Sequence, residues 1–377
     1  MASTTAPLAF VPGVGFRSRD ALMLREPVTY EADGWKVSVD SVSADESGTQ
    51  VAVTIHGPFK MRGDARIGQP DVDFNAFIQA RNRAGAVASS GPRMFPMSTS
   101  VSHAAGVGIS CTANMDPLPG SDPQVDILIG EPLPITVIPL RLTPISDLAI
   151  PARFLDAQDE HHGVVLTVSA VARGADMSAV LLHASLQPHP RKRFMRALGT
   201  MRDMPREAPG ITIADDRGSD LHAFAATREL SAGPEMRTIA VFPGLAADAS
   251  SATLTVPYVV LSEYLGAPVK LAVPFEGEVT LGDDTAIVKV DRQDAPRGGS
   301  GVSVAFTGIW RSDRRLLYAE SLSVDGQRNG GVGFRQMPSE PPIVTYAEDP
   351  SGNTTSVQLE SPVVQLRGPW RLPLALP

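Results

Sequence analysis

The 377-residue sequence holds a single cysteine, Cys111. An intramolecular disulfide and a cysteine-built zinc site are therefore excluded. Aromatic residues amount to 6%, with only three tryptophans, Trp35, Trp310 and Trp370. No apolar run reaches the ~18 residues that would mark a membrane-crossing helix. The opening stretch, MASTTAPLAFVPGVGF, lacks a basic segment and is broken by Pro7, Pro12, Gly13 and Gly15. It does not fit a secretory signal. Two expectations follow: a cytoplasmic chain, or a piece of a protein whose export or anchoring segment lies upstream. A net positive charge is missing too. The formal charge is −8, with 33 Lys and Arg against 41 Asp and Glu. A uniformly basic nucleic-acid binder is disfavoured, so no nucleic-acid partner is expected.

Proline and glycine are abundant, at 33 residues each. Proline is well above its usual ~5% of a chain. It removes a backbone donor and breaks helix interiors, so a helical bundle or coiled coil is excluded. The dominant pattern has period two. Trp35, Val37 and Val39 alternate with Lys36, Ser38 and Asp40, and Val51, Val53 and Ile55 share one face. Such alternation marks half-buried strands. Between these two runs lies a turn cluster at 44–49 with Gly48, which completes a hairpin. The pattern recurs at 164–186 and at 286–308. Each block ends on an apolar, proline-bearing strand: 133–142, 269–275 and 363–376.

The expected fold is all-β, with tandem immunoglobulin-like antiparallel sandwiches. An N-terminal extension covers 1–26. Three modules cover 27–148, 163–276 and 277–377. Linkers are expected at 144–162 and 276–284. The segment 190–206 departs from the alternation. Phe194, Leu198 and Met201 fall at i, i+4 and i+7, a helical face weakened by Gly199, which predicts a short helical insertion in the second module, with a long inserted loop as the alternative.

Signs of chemistry are sparse. Asp159, His161 and His162 are candidate ligands for a transition metal, yet neighbouring residues diverge on a strand and on a helix alike. Asp215, Asp216 and Asp220 surround a glycine turn and are candidates for calcium, without EF-hand spacing. Asx turn chemistry explains them equally well. Asp116, Asp122 and Asp126 carry a weaker version of the same signal. No nucleophile elbow, P-loop or dinucleotide fingerprint is present. Cys111, near His103 in sequence, reads as a small buried residue more readily than as a nucleophile. The segment with Arg191, Lys192, Arg193, Arg196, Arg202 and Arg206 is the most concentrated positive charge. It is a candidate binding patch for an acidic partner, a polyanionic wall polymer or an anionic surface, or an arginine face paired within the protein. The tryptophans are candidates for sugar stacking, with core packing the plainer alternative.

Phe10, Pro12, Gly13, Gly15 and Phe16, then Leu24–Tyr30, Asp33-Gly34, Val37–Val39 and Ala44–Thr49 form a run similar to one family. It resembles the extracytoplasmic region of bacterial membrane-anchored anti-sigma-factor-like proteins, the DUF4179-type ectodomains. The closing stretch Leu366–Leu374 resembles the last strand of their companion DUF5643-type module. The resemblance implies a non-enzymatic extracytoplasmic sensor or interaction ectodomain. It would have no cofactor and no catalytic residues. Its partner would be a protein or a cell-envelope ligand, and it would meet the membrane only through an anchor absent from this sequence. Two other functions stay open from the residues: a soluble structural or adhesin-like assembly protein, and a hydrolase with an unrecognised site.

Overall fold

A computed structural model describes residues 8–46, 48–58, 61–62, 69–70, 78–89, 95–102, 106–118, 123–130, 133, 136–145, 149–186, 191–195, 198, 210–232, 234–294, 300–324, 327–328, 333–336, 343–348 and 354–377. The fold is all-β and antiparallel, with no α-helix among the described residues. The chain divides into two compact units, Met1–Pro151 and Ala152–Pro377.

In the first unit, two sheets enclose one core. The larger has the order Phe95–Ser102, Gly106–Met115, Gly48–Gly57, Trp35–Asp45, Leu22–Met23, Thr143–Pro144, with Val28–Ala32 also on Trp35–Asp45. The smaller has the order Val87–Ser89, Ile78–Asn82, Gln124–Ile129, Thr136–Arg141. The period-two reading is correct here. Val37, Val39, Val51, Val53 and Ile55 point inward and meet Ile78, Ile127, Ile129 and Ile138 from the facing sheet. Asp33 and Gly34 both have positive φ, at 50° and 78°. That is the tight two-residue turn whose twist suits a hairpin, and it joins Val28–Ala32 to Trp35–Asp45. The N-terminal hairpin Leu8–Val11 and Gly15–Ser18 packs Phe10 on Phe16, with ring centroids 5.3 Å apart.

The second unit contains the expected modules 163–276 and 277–377 together. A central nine-stranded sheet runs through both of them. Its axis is the 20-residue strand Ser356–Ala375. Residues 363–375 of that strand pair with Ser251–Glu263, and residues 357–366 pair with Arg314–Val324 on the other side. One outer sheet contains Ile150–His161, Val164–Arg173, Met177–Leu186, Glu235–Pro243 and Ala225–Ala232. The other contains Phe275–Leu281, Asp284–Asp294, Ser300–Gly308, Ile343–Glu348 and Gly333–Gln336. All three sheets feed one core. Leu166 and Phe242 belong to it, as do Trp370 and Leu359, and Val288 and Phe306.

Three expectations are corrected. The supposed linker 144–162 carries the strand Ile150–His161, and 276–284 carries most of Phe275–Leu281. Both read as polar connections because their outward residues are charged: Arg153, Asp156 and Glu160 in one, Glu276 and Glu278 in the other. The third concerns the helical insertion at 190–206: its described residues, 191–195 and 198, contain no helix. Lys192–Phe194 is instead a strand paired with Leu261–Glu263, and it places Phe194 in the core. The pairing supplies hydrogen-bond partners to the backbone groups of this segment. Arg196, Arg202 and Arg206 lie outside the described residues.

Candidate functional site

The second unit has a cleft of about 190 Å³ where several of its strands end or cross. Four elements carry its rim. The turn after Ile150–His161 brings His162, held at φ 55°, with Gly163 at φ 73° beside it. Asn, Asp and His accept that left-handed conformation more readily than branched residues, and glycine adopts it freely. The short strand Lys192–Phe194 sets Lys192 opposite Glu263. The strand Arg314–Val324 begins with Arg314 opposite Leu366 of the long central strand. Leu186, Leu261, Val364 and Leu366 form an aliphatic floor, and all four are buried.

The rim is a chain of charges. Arg314 makes a two-pronged contact with Asp284, Nε to Oδ1 at 3.1 Å and Nη2 to Oδ2 at 2.7 Å. The Asp284 side chain is only 4% exposed. The hydrogen bond to Asp284 raises the Arg314 guanidinium above its ordinary value, against the opposing effect of burial. Arg314 is a permanent cation here. Glu263 is held more loosely. Its Oε2 lies 3.7 Å from Lys192 Nζ and 3.9 Å from Arg314 Nη2. Both spacings exceed the ~2.7–2.9 Å of a charge-assisted hydrogen bond. His162 Nε2 stands 3.7 Å from Asp313 Oδ2. Cations, a carboxylate and an apolar floor thus meet within one small cleft.

Of the described residues of the basic segment, Lys192 lines this cleft. Arg191 gives its backbone carbonyl to Tyr264 N at 2.7 Å. The sequence reading missed Glu263, Asp284 and Arg314. No local signal marks them, because each is an ordinary charged residue at a strand end.

The metal candidates are not gathered. Among the described residues no group of three or more His, Cys, Asp or Glu side chains is arranged to hold a metal ion. His161 turns towards Asp159, with Nε2 to Oδ2 at 3.4 Å, and its ring meets Trp370 edge-on at 5.5 Å. His162 turns towards Asp313 instead. Asp159 Oδ2 accepts a hydrogen bond from Arg371 N at 2.6 Å. Asp215 accepts from Ser219 N at 2.8 Å, Arg217 N at 3.0 Å and Ala246 N at 3.3 Å. Burial pushes the Asp215 carboxyl up, but the hydrogen bonds from Ser219, Ala246 and Arg217 together outweigh it and hold it low. The Ser250 hydroxyl, 2.5 Å from Asp216 Oδ2, leads the contacts that hold Asp216 low as well. Asp215 and Asp216 therefore serve as turn caps and ties, while Asp220 sits exposed on the strand Asp220–His222.

Trp35 and Trp370 are buried core residues, and the side chain of Trp310 lies outside the description. Cys111 lies on Gly106–Met115 opposite Val53, with its side chain and His103 outside the described residues. Asp116 is exposed, Asp122 lies outside the described residues, and Asp126 pairs with Arg81 at 2.8 Å.

No protein-family model matches the chain, and no curated protein matches it. One solved structure, described as the conserved domain protein from Bacillus anthracis, is similar at a TM-score of 0.31 and 12% identity. The similarity covers 69% of this chain and 83% of that one. A likeness of that size carries no argument about fold or function.

Proposed function

We propose that this chain is a non-catalytic binding module, built of immunoglobulin-like sandwiches and serving as the sensor or interaction ectodomain of a membrane-anchored regulator. The resemblance to anti-sigma-factor-like proteins motivates the extracytoplasmic setting. The observation that carries the binding role is the position of the cleft. His162, Leu186, Lys192 and Glu263 come from the 163–276 region or its border, Arg314 from 277–377, and Val364 and Leu366 from the strand that both share. A ligand seated there touches both regions at once. Its occupancy would bear on how they pack, which is what a sensor needs to relay.

The test is equilibrium dialysis of the intact chain against a pooled extract of small metabolites, read by mass spectrometry. A compound retained unchanged by the wild type and lost by both Lys192→Ala and Glu263→Ala is the expected result. Conversion of a compound into product overturns the non-catalytic reading. Identical retention by the wild type and both variants overturns the cleft as the seat.

A further inference from the structure

Resting on the cleft as a ligand seat, we propose that its ligand is a small zwitterion with an aliphatic arm, of the α-amino acid class. The charges on the rim lead there first. Lys192 and Arg314 flank Glu263 at 3.7 and 3.9 Å, close enough for attraction and too far for hydrogen bonds. Two prongs of Arg314 are taken by Asp284, and the described contacts leave Nη1 for another acceptor. A lone anion binding to Lys192 and Arg314 would set a second carboxylate beside Glu263. A lone cation binding to Glu263 would crowd Lys192 and Arg314. Like charges in such contact are strongly disfavoured. A zwitterion avoids both conflicts. Its carboxylate meets Lys192 and Arg314, its ammonium meets Glu263, and the net charge of the rim is unchanged.

The floor supplies the rest. Leu186, Leu261, Val364 and Leu366 offer only aliphatic surface, so the ligand also needs an apolar arm. The cleft of about 190 Å³ is smaller than the ~300–1,000 Å³ of drug-sized sites. A nucleotide or an oligosaccharide is too large for it, whereas a single branched amino acid is of the right order.

The experiment is calorimetric titration of the intact chain with four probes: L-leucine, N-acetyl-L-leucine, L-leucinamide and glycine. They test in turn the zwitterion, the carboxylate alone, the ammonium alone, and the zwitterion without its arm. Leucine is expected to bind at least tenfold more tightly than each of the others. Lys192→Met should weaken leucine at least tenfold. Glu263→Gln should narrow the preference for leucine over N-acetyl-leucine. Both variants must keep the wild-type circular dichroism spectrum, since both sites are partly exposed. N-acetyl-leucine or leucinamide binding as tightly as leucine overturns the zwitterion, and glycine doing so overturns the role of the floor. No heat with any probe overturns the amino acid class. The seat itself fails separately, only when the dialysis experiment shows equal retention by wild type and variants.

Discussion

Residues that carry no chemistry set tight steric limits in this fold. Gly57 closes the strand Gly48–Gly57 directly against Trp35, and a Cβ there would lie 2.0 Å from the indole ring. Gly57→Ala should therefore destabilise the first unit by about 1–3 kcal/mol, the usual cost of overpacking. Urea unfolding followed by tryptophan fluorescence checks it. Trp370 is the reverse case. It is fully buried, and its Nε1 donates to Val164 O at 3.1 Å. Trp370→Ala should cost roughly 3–5 kcal/mol, as large-to-small aromatic changes in cores do. The pair Arg314–Asp284 tests the cleft. Asp284→Ala leaves the Arg314 fork without its acceptor, and a lost hydrogen bond to a charged group costs about 1.5–3 kcal/mol. Thermal unfolding measures that cost. The core residues among these were legible in the sequence from alternation. Asp284 was not, since it opens the strand Asp284–Asp294 directly after the turn at 282–283, which looks like any other polar turn.

At the scale of elements, the 215–219 turn makes stability depend on acid. Asp215 and Asp216 are both held below the usual aspartate value of 3.8. The folded form thus prefers them ionised, and their stabilising effect is present in full above that value. It fades as the pH falls through their lower folded values. Asp216→Asn should flatten the acid limb of a plot of urea midpoint against pH, while leaving the slope at neutral pH unchanged. The strand Ile150–His161 pairs with Leu8–Val11 only at Ile150 and Pro151, which leaves the rest of that edge without a strand partner among the described residues. Within its unit, residues 152–161 pair on one side only, with Val164–Arg173. A bulge between Phe154 and Ala157 interrupts the ladder, and Arg153, Asp156, Asp159 and Glu160 place charge along it. Asp159 also ties Arg371 N, and Arg153 reaches Leu376 O at 3.5 Å. Bulges and charges are the usual protection against edge-to-edge association. Light scattering of the double variant Asp156→Val, Glu160→Val should show mass rising with concentration, while the wild type stays constant. A constant mass in both would remove the protective role assigned to these charges.

For the molecule as a whole, the long strand Ser356–Ala375 decides what can fold alone. It supplies Trp370 and Leu372 to a core shared with Leu166 and Phe242, and it is the pairing partner of Ser251–Glu263. A fragment covering only 152–276 would lose that partner and expose an apolar sheet face. It should show no cooperative melt, whereas 152–377 should melt in a single transition. Differential scanning calorimetry of the two fragments decides it.

Alternation along each strand was enough to assign the class of fold and the inward faces. Val51, Val53 and Ile55 show it in the first unit, as do Val288 and Val290 in the second. Side-chain direction has a period of two in any strand, so that information is local. The cleft is a different matter. Lys192, Glu263, Asp284 and Arg314 are scattered over more than a hundred positions of the chain. They become neighbours because Lys192 pairs with Glu263, Arg314 pairs with Leu366, and Asp284 faces the Arg314 fork. Long-range strand register places them together, and no stretch of sequence encodes that register by itself.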